Sequence, residues 1–140
     1  MNVLIEEKWY SIGMLSENLK HLYIFGDNTM CIGNGGQAQI RDCYNSMGVA
    51  TKRAPAMTDD AFFGDTEKDY INLLNDLVRL SMLLKNPLYD DWTLVFPIDG
   101  LGTGLSQMPL RSPFLTVMLA NYLKQYFGVN TAEDGRLSIA

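Results

Sequence analysis

Two glycine-rich stretches carry the residues best suited to chemistry in this 140-residue chain. The first is Gly26-Asp27-Asn28 through Gly33-Asn34-Gly35-Gly36, and the second is Asp99-Gly100-Leu101-Gly102-Thr103-Gly104-Leu105. Glycine takes positive φ without strain and leaves the backbone bare, so consecutive N–H groups can converge on one point. The natural guest of such a loop is an anion, above all a phosphate, and a helix starting just behind adds its positive end. Either loop alone reads equally well as a tight turn in which glycine meets a steric need. Two of them behind strands shift the balance toward a phosphate-bearing ligand. Neither matches a nucleotide fingerprint: no GxxxxGK[ST] occurs, and Gly102-Thr103-Gly104 lacks the third glycine of the dinucleotide motif.

The elements that must position these loops follow from periodicity and punctuation. Val3-Leu4-Ile5 is a short strand, and Leu22-Tyr23-Ile24-Phe25 is a second, closed by the turn signal Gly26-Asp27-Asn28. Gly35 to about Tyr44 reads as a short helix, and Gly48-Val49-Ala50-Thr51 as a brief strand. From Thr66 to Lys85, apolar residues at helical spacing follow an acidic first turn, and Asn86-Pro87 ends the run. Trp92 to Ile98 is apolar on both faces, as a central, mostly parallel strand requires. Ser112 and Pro113 stand as N-cap and first helical residue of a stripe ending at Gly128. Asn130 to Ala140 is expected to be loose or an edge strand. Alternating strands and helices make this one α/β domain over 1–140, with its ligand outside the carboxyl ends of the strands.

Composition narrows the function classes. Sixteen acids outnumber eleven scattered Lys and Arg, for a net charge of −5, which argues against broad phosphate-backbone binding to nucleic acid and leaves Lys52-Arg53 as a local basic spot. No window reaches the roughly 18 apolar residues of a membrane helix, and the acids of MNVLIEEKWY do not suit a signal peptide, so a cytoplasmic protein is expected. Cys31 and Cys43 form no CxxC pair and His21 stands alone, so neither zinc nor a disulfide framework is supported, and no metal or cofactor is needed. Cys31 reads as a small buried hydrophobe and the methionines as core filling.

Phe96-Pro97-Ile98-Asp99-Gly100-Leu101-Gly102-Thr103-Gly104-Leu105 resembles the second phosphate-binding loop of macrodomains, and Phe25 to Ala38 resembles the first. With Thr51-Lys52 ending a strand before a long helix, the pattern is most similar to the branch containing the terminal ADP-ribose protein glycohydrolase. It is also similar to small phage and bacterial macro-like proteins, for which the setting would be the host cytoplasm. The resemblance spans about residues 22 to 128. It implies a three-layer α/β/α sandwich around a mixed, mostly parallel sheet.

The resemblance also implies a ligand, ADP-ribose or a related NAD-derived diphosphate nucleotide, free or carried on an ADP-ribosylated protein. Gly100, Leu101, Gly102, Thr103, Gly104 and Leu105 would hold the diphosphate, with Gly33, Asn34, Gly35 and Gly36 closing from the other side. Asp27 and Asn28 would meet ribose or base, or else form an Asx turn. Lys52 corresponds to a lysine proposed as nucleophile toward the anomeric carbon, and it reads equally as a solvated cation contacting phosphate. The assisting acid expected after the G-x-G-L turn is Ser106 here, which cannot donate a proton at neutral pH as a carboxylic acid would. Asp99 could substitute for it. The expectation is therefore a reader or sequestering module, with an ADP-ribosyl hydrolase and a ligand-free interaction domain as alternatives.

Overall fold

The computed structural model describes residues 1–140. In chain order its elements are β1 (Asn2–Glu6), α1 (Ile12–Glu17), β2 (His21–Asn28), β3 (Ser46–Lys52), α2 (Glu67–Leu83), β4 (Thr93–Pro97), α3 (Met108–Arg111), α4 (Pro113–Phe127), β5 (Val129–Thr131) and β6 (Leu137–Ile139). The main sheet has the order β1-β4-β2-β3, and every pairing in it is parallel. The sheet is thus mostly parallel, as expected, with an isolated antiparallel bridge from Phe62 to Lys52 at its β3 edge, and beside it the C-terminal tail folds into a separate antiparallel hairpin, β5-β6.

Burial on both faces follows from the apolar run of β4. Leu94 and Phe96 point into a core shared with Leu73, Leu77 and Leu80 of α2 and with Leu115, Leu119, Leu123 and Phe127 of α4. Val95, between them, points the other way and packs with Tyr23, Phe25, Leu15 of α1, Ile40 and Tyr10. The strand therefore serves two cores, one on each face, in an α/β fold of three layers. Tyr10 is fully buried, and its hydroxyl donates to the carbonyls of Ile24 (2.9 Å) and Val95 (3.3 Å). Burial pushes its pKa far up, so the phenol stays protonated.

Several local expectations change. Gly26-Asp27-Asn28 does not stop the strand at Phe25: β2 continues through all three, paired with β3, with a bulge between Asp27 and Asn28. Pairing overrides the turn propensity because Asp27 finds a cationic partner and Gly48 makes room for it. A Cβ at Gly48 would lie 2.8 Å from Asp27 Oδ2. The helix expected from Gly35 to Tyr44 is only a 3-10 turn, Gly36–Ile40. Cys31 is exposed, in a left-handed conformation (φ 55°), and is no core residue.

Helix α2 starts as its sequence suggests, with the Thr66 side chain accepting from the Asp69 N–H. Helix α4 does not. The Ser112 hydroxyl donates to the Met108 carbonyl at 3.3 Å, and the N–H groups of Phe114 and Leu115 donate instead to the two carboxylate oxygens of Asp65, each at 3.1 Å. Gly128 closes α4 in the left-handed conformation that a C′ glycine supplies (φ 66°).

Candidate functional site

A cleft of about 410 Å³ lies beyond the carboxyl ends of β2 and β3. Gly26, Asp27 and Asn28 from β2, Lys52 from β3, Gly33, Asn34 and Gly35 from the first glycine loop, and Leu105 and Ser106 from the second all line it. This is the region where parallel α/β sheets receive ligands. The two loops, some seventy residues apart in sequence, meet there because β2 and β4 are neighbours.

The first loop is held from inside by side chains. Asn28 Oδ1 accepts from the Met30 N–H (3.1 Å) and its Nδ2 donates to the Ile32 carbonyl (2.8 Å), an Asx turn. Arg41 donates through Nε to Asp27 Oδ2 (3.2 Å) and through Nη2 to Oδ1 (2.5 Å). The same guanidinium also donates to the carbonyls of Gly33 and Ile32. The Ile32 and Gly33 carbonyls are thus occupied by Arg41 and Asn28, while the N–H groups from Ile32 to Gly36 donate to no acceptor in the protein. Arg41 escaped sequence reading because it stands fourteen residues from Asp27, a spacing that belongs to no motif.

The second loop divides into packing and opening. A Cβ on Gly100 would lie 2.3 Å from the Gly135 carbonyl oxygen, and one on Gly102 would lie 2.3 Å from Met108 Sδ. Their bareness is accounted for by the protein's own close approach, and the Leu101 side chain belongs to the main core. The Thr103 hydroxyl donates to the Asp99 carbonyl at 2.7 Å and ties the turn together. Gly104 differs: it has φ 62° and no protein atom within 4 Å of its would-be Cβ. As in the first loop, the N–H groups of Gly102, Thr103, Gly104 and Leu105 have no acceptor in the protein.

Lys52 is buried, and Nζ donates to the Ala56 carbonyl (2.6 Å) and toward Met57 Sδ (3.6 Å) while standing 4.6 Å from the centroid of the Phe62 ring. No carboxylate pairs with it. Desolvation, and then the charge of Arg111 on the same aromatic ring (3.8 Å), draws its pKa below that of a free lysine. Its neighbour Arg53 is spoken for, forming a two-pronged pair with Asp69 (2.9 and 2.6 Å). Ser106 Oγ lies 3.0 Å from Thr51 Oγ1, within hydrogen-bond reach. Asp99 is exposed and lies outside the lining of the cleft, so the structure does not bring it to Lys52. The only carboxylate on the lining is Asp27, already in an ion pair.

Fold and cleft together define an α/β protein whose glycine loops close on a pocket beyond the ends of a parallel sheet. The chain belongs to a family of unknown function, DUF7831, which matches residues 5–122. No curated protein and no solved structure matches it. None of its helices is long and apolar enough to cross a membrane.

Proposed function

We propose that the cleft binds ADP-ribose or a related NAD-derived diphosphate nucleotide, and that the protein reads ADP-ribosylated partners or sequesters the free nucleotide. One observation carries this reading: the unpaired backbone N–H groups of Ile32 to Gly35 and of Leu105 line a single cleft that also contains a lysine with no carboxylate partner. Such N–H runs favour anions, and a buried cation lacking a carboxylate favours them further. A volume of about 410 Å³ falls within the ordinary range for small-molecule sites. The two free cysteines fit the cytoplasmic setting proposed with it.

A hydrolase is the second reading, favoured by the depressed pKa of Lys52, which brings its amine nearer to the nucleophilic free base. It is disfavoured by the absence of an available acid on the lining, since Ser106 cannot protonate a leaving group and Asp27 is paired. Calorimetric titration with ADP-ribose, AMP and NAD tests the main reading. Heat with ADP-ribose supports it, and no heat with any of these at concentrations that detect ~100 μM affinity overturns it. Release of ADP-ribose from an automodified protein, lost in Lys52→Ala, would establish the hydrolase over the reader.

A further inference from the structure

A second cavity, of about 620 Å³, runs along the outer edge of β3 and shares Asp27, Asn28 and Arg41 with the cleft. Backbone groups of a strand point alternately to its two sides. Asn45, just before β3, and Met47 and Val49 within it face β2, as the 2.9 Å bond from the Tyr23 N–H to the Asn45 carbonyl shows, and past the bulge Lys52 faces β2 as well, its carbonyl accepting from the Thr29 N–H at 2.9 Å. Ser46, Gly48 and Ala50 face outward, where no further strand lies.

The protein covers part of this edge itself. Phe62 bridges Lys52 in antiparallel sense, Asp76 of α2 accepts the Ala50 N–H at 2.7 Å, and the Ser46 N–H turns back to the Cys43 carbonyl. Gly48 alone keeps both its N–H and its carbonyl without a partner, and it lines the cavity. Opposite it stand Asn72, Asn75 and Arg79 of α2, whose amide and guanidinium donors suit the carbonyls of a peptide.

We propose that an extended segment of a partner polypeptide adds to β3 along this edge by pairing with Gly48, and that it is the segment bearing the ADP-ribose held in the cleft. A donor and an acceptor on one strand edge are matched by another extended main chain, the usual mode of strand addition. The shared wall of Asp27, Asn28 and Arg41 carries the partner past the mouth of the cleft, where a modified side chain enters it. The proposal rests on the nucleotide reading above.

The test titrates the full-length, ¹⁵N-labelled protein with free ADP-ribose, with a decapeptide carrying ADP-ribose on a central serine, and with the same modified decapeptide methylated on alternate backbone nitrogens. Two main-chain hydrogen bonds predict that the modified peptide binds roughly ten-fold tighter than ADP-ribose. Exchange of the Gly48 amide should slow in that complex, and N-methylation should remove both effects. Equal affinities for peptide and ADP-ribose, with Gly48 exchange unchanged, would overturn the strand addition and leave the nucleotide site standing. Failure of all three probes to bind overturns the nucleotide reading and this proposal together.

Discussion

Arg41 holds both carboxylate oxygens of Asp27 and, with the same guanidinium, the carbonyls of Ile32 and Gly33. One side chain therefore neutralises a buried acid at the end of β2 and fixes which way the first glycine loop turns its polar groups. Truncation as Arg41→Ala leaves Asp27 buried and unpaired, which costs about 3 kcal/mol in urea unfolding. Arg41→Lys recovers little, because an ammonium cannot reach two carboxylate oxygens and two carbonyls in the guanidinium's planar geometry. The double variant Arg41→Ala/Asp27→Asn should be less destabilised than the sum of its parts, the signature of a coupled pair.

The glycines of the second loop separate by role. Gly100→Ala drives a methyl into the Gly135 carbonyl and should cost stability by more than about 2 kcal/mol, seen in the unfolding midpoint. Gly104→Ala meets nothing and incurs only the left-handed strain, about 1 kcal/mol. Its effect on ADP-ribose affinity should exceed its effect on stability. Equal losses at Gly104 would mark it as a turn residue and nothing more.

Lys52→Met keeps the aliphatic packing against Phe62 and removes the charge. Loss of a charged hydrogen bond to phosphate predicts about a ten-fold weaker ADP-ribose complex by calorimetry. Because the Lys52 pKa lies below the 10.5 of a free lysine, the ammonium loses its proton at a lower pH than an exposed lysine would. Wild-type affinity should fall as the pH is raised through that range, while the profile of Lys52→Met stays flat.

Asp69 supplies a pH signature of stability. Burial alone would raise its pKa, but Arg53, the Gly64 N–H and Thr66 outweigh desolvation and hold it below the ordinary 3.8. A carboxyl whose pKa is depressed on folding stabilises the native state above its unfolded pKa and loses that contribution as pH falls through the folded value. The urea midpoint of the wild type should therefore drop on acidification below about pH 4, and Asp69→Asn should show a shallower drop from a lower starting point.

How much of this was legible in the sequence depends on the range of the forces involved. Strands β1 and β4 and helices α2 and α4 announce themselves through periodicity and local capping, and the central position of β4 follows from residues apolar on both faces. The cleft between the glycine loops was also legible, since strand ends are where such loops matter. What the sequence hid was long-range pairing. Gly26-Asp27-Asn28 looks like a turn until Arg41 and Gly48 are seen beside it, and Ser112 looks like a cap until Asp65 arrives from the start of α2. Gly100 and Gly102 likewise looked like ligand contacts, though Gly135 and Met108 account for them. The open edge at Gly48 had no sequence signal, because only the order of strands reveals which backbone groups lack a neighbour.

The carboxylate of Asp65 sits one residue before the Thr66 cap of α2 and binds the first N–H groups of α4. The two helices that cover one face of the sheet thus begin at a common knot. Fraying at the start of one releases the cap of the other, so local opening there is concerted, and the layer behaves as one cooperative unit rather than as two helices resting side by side.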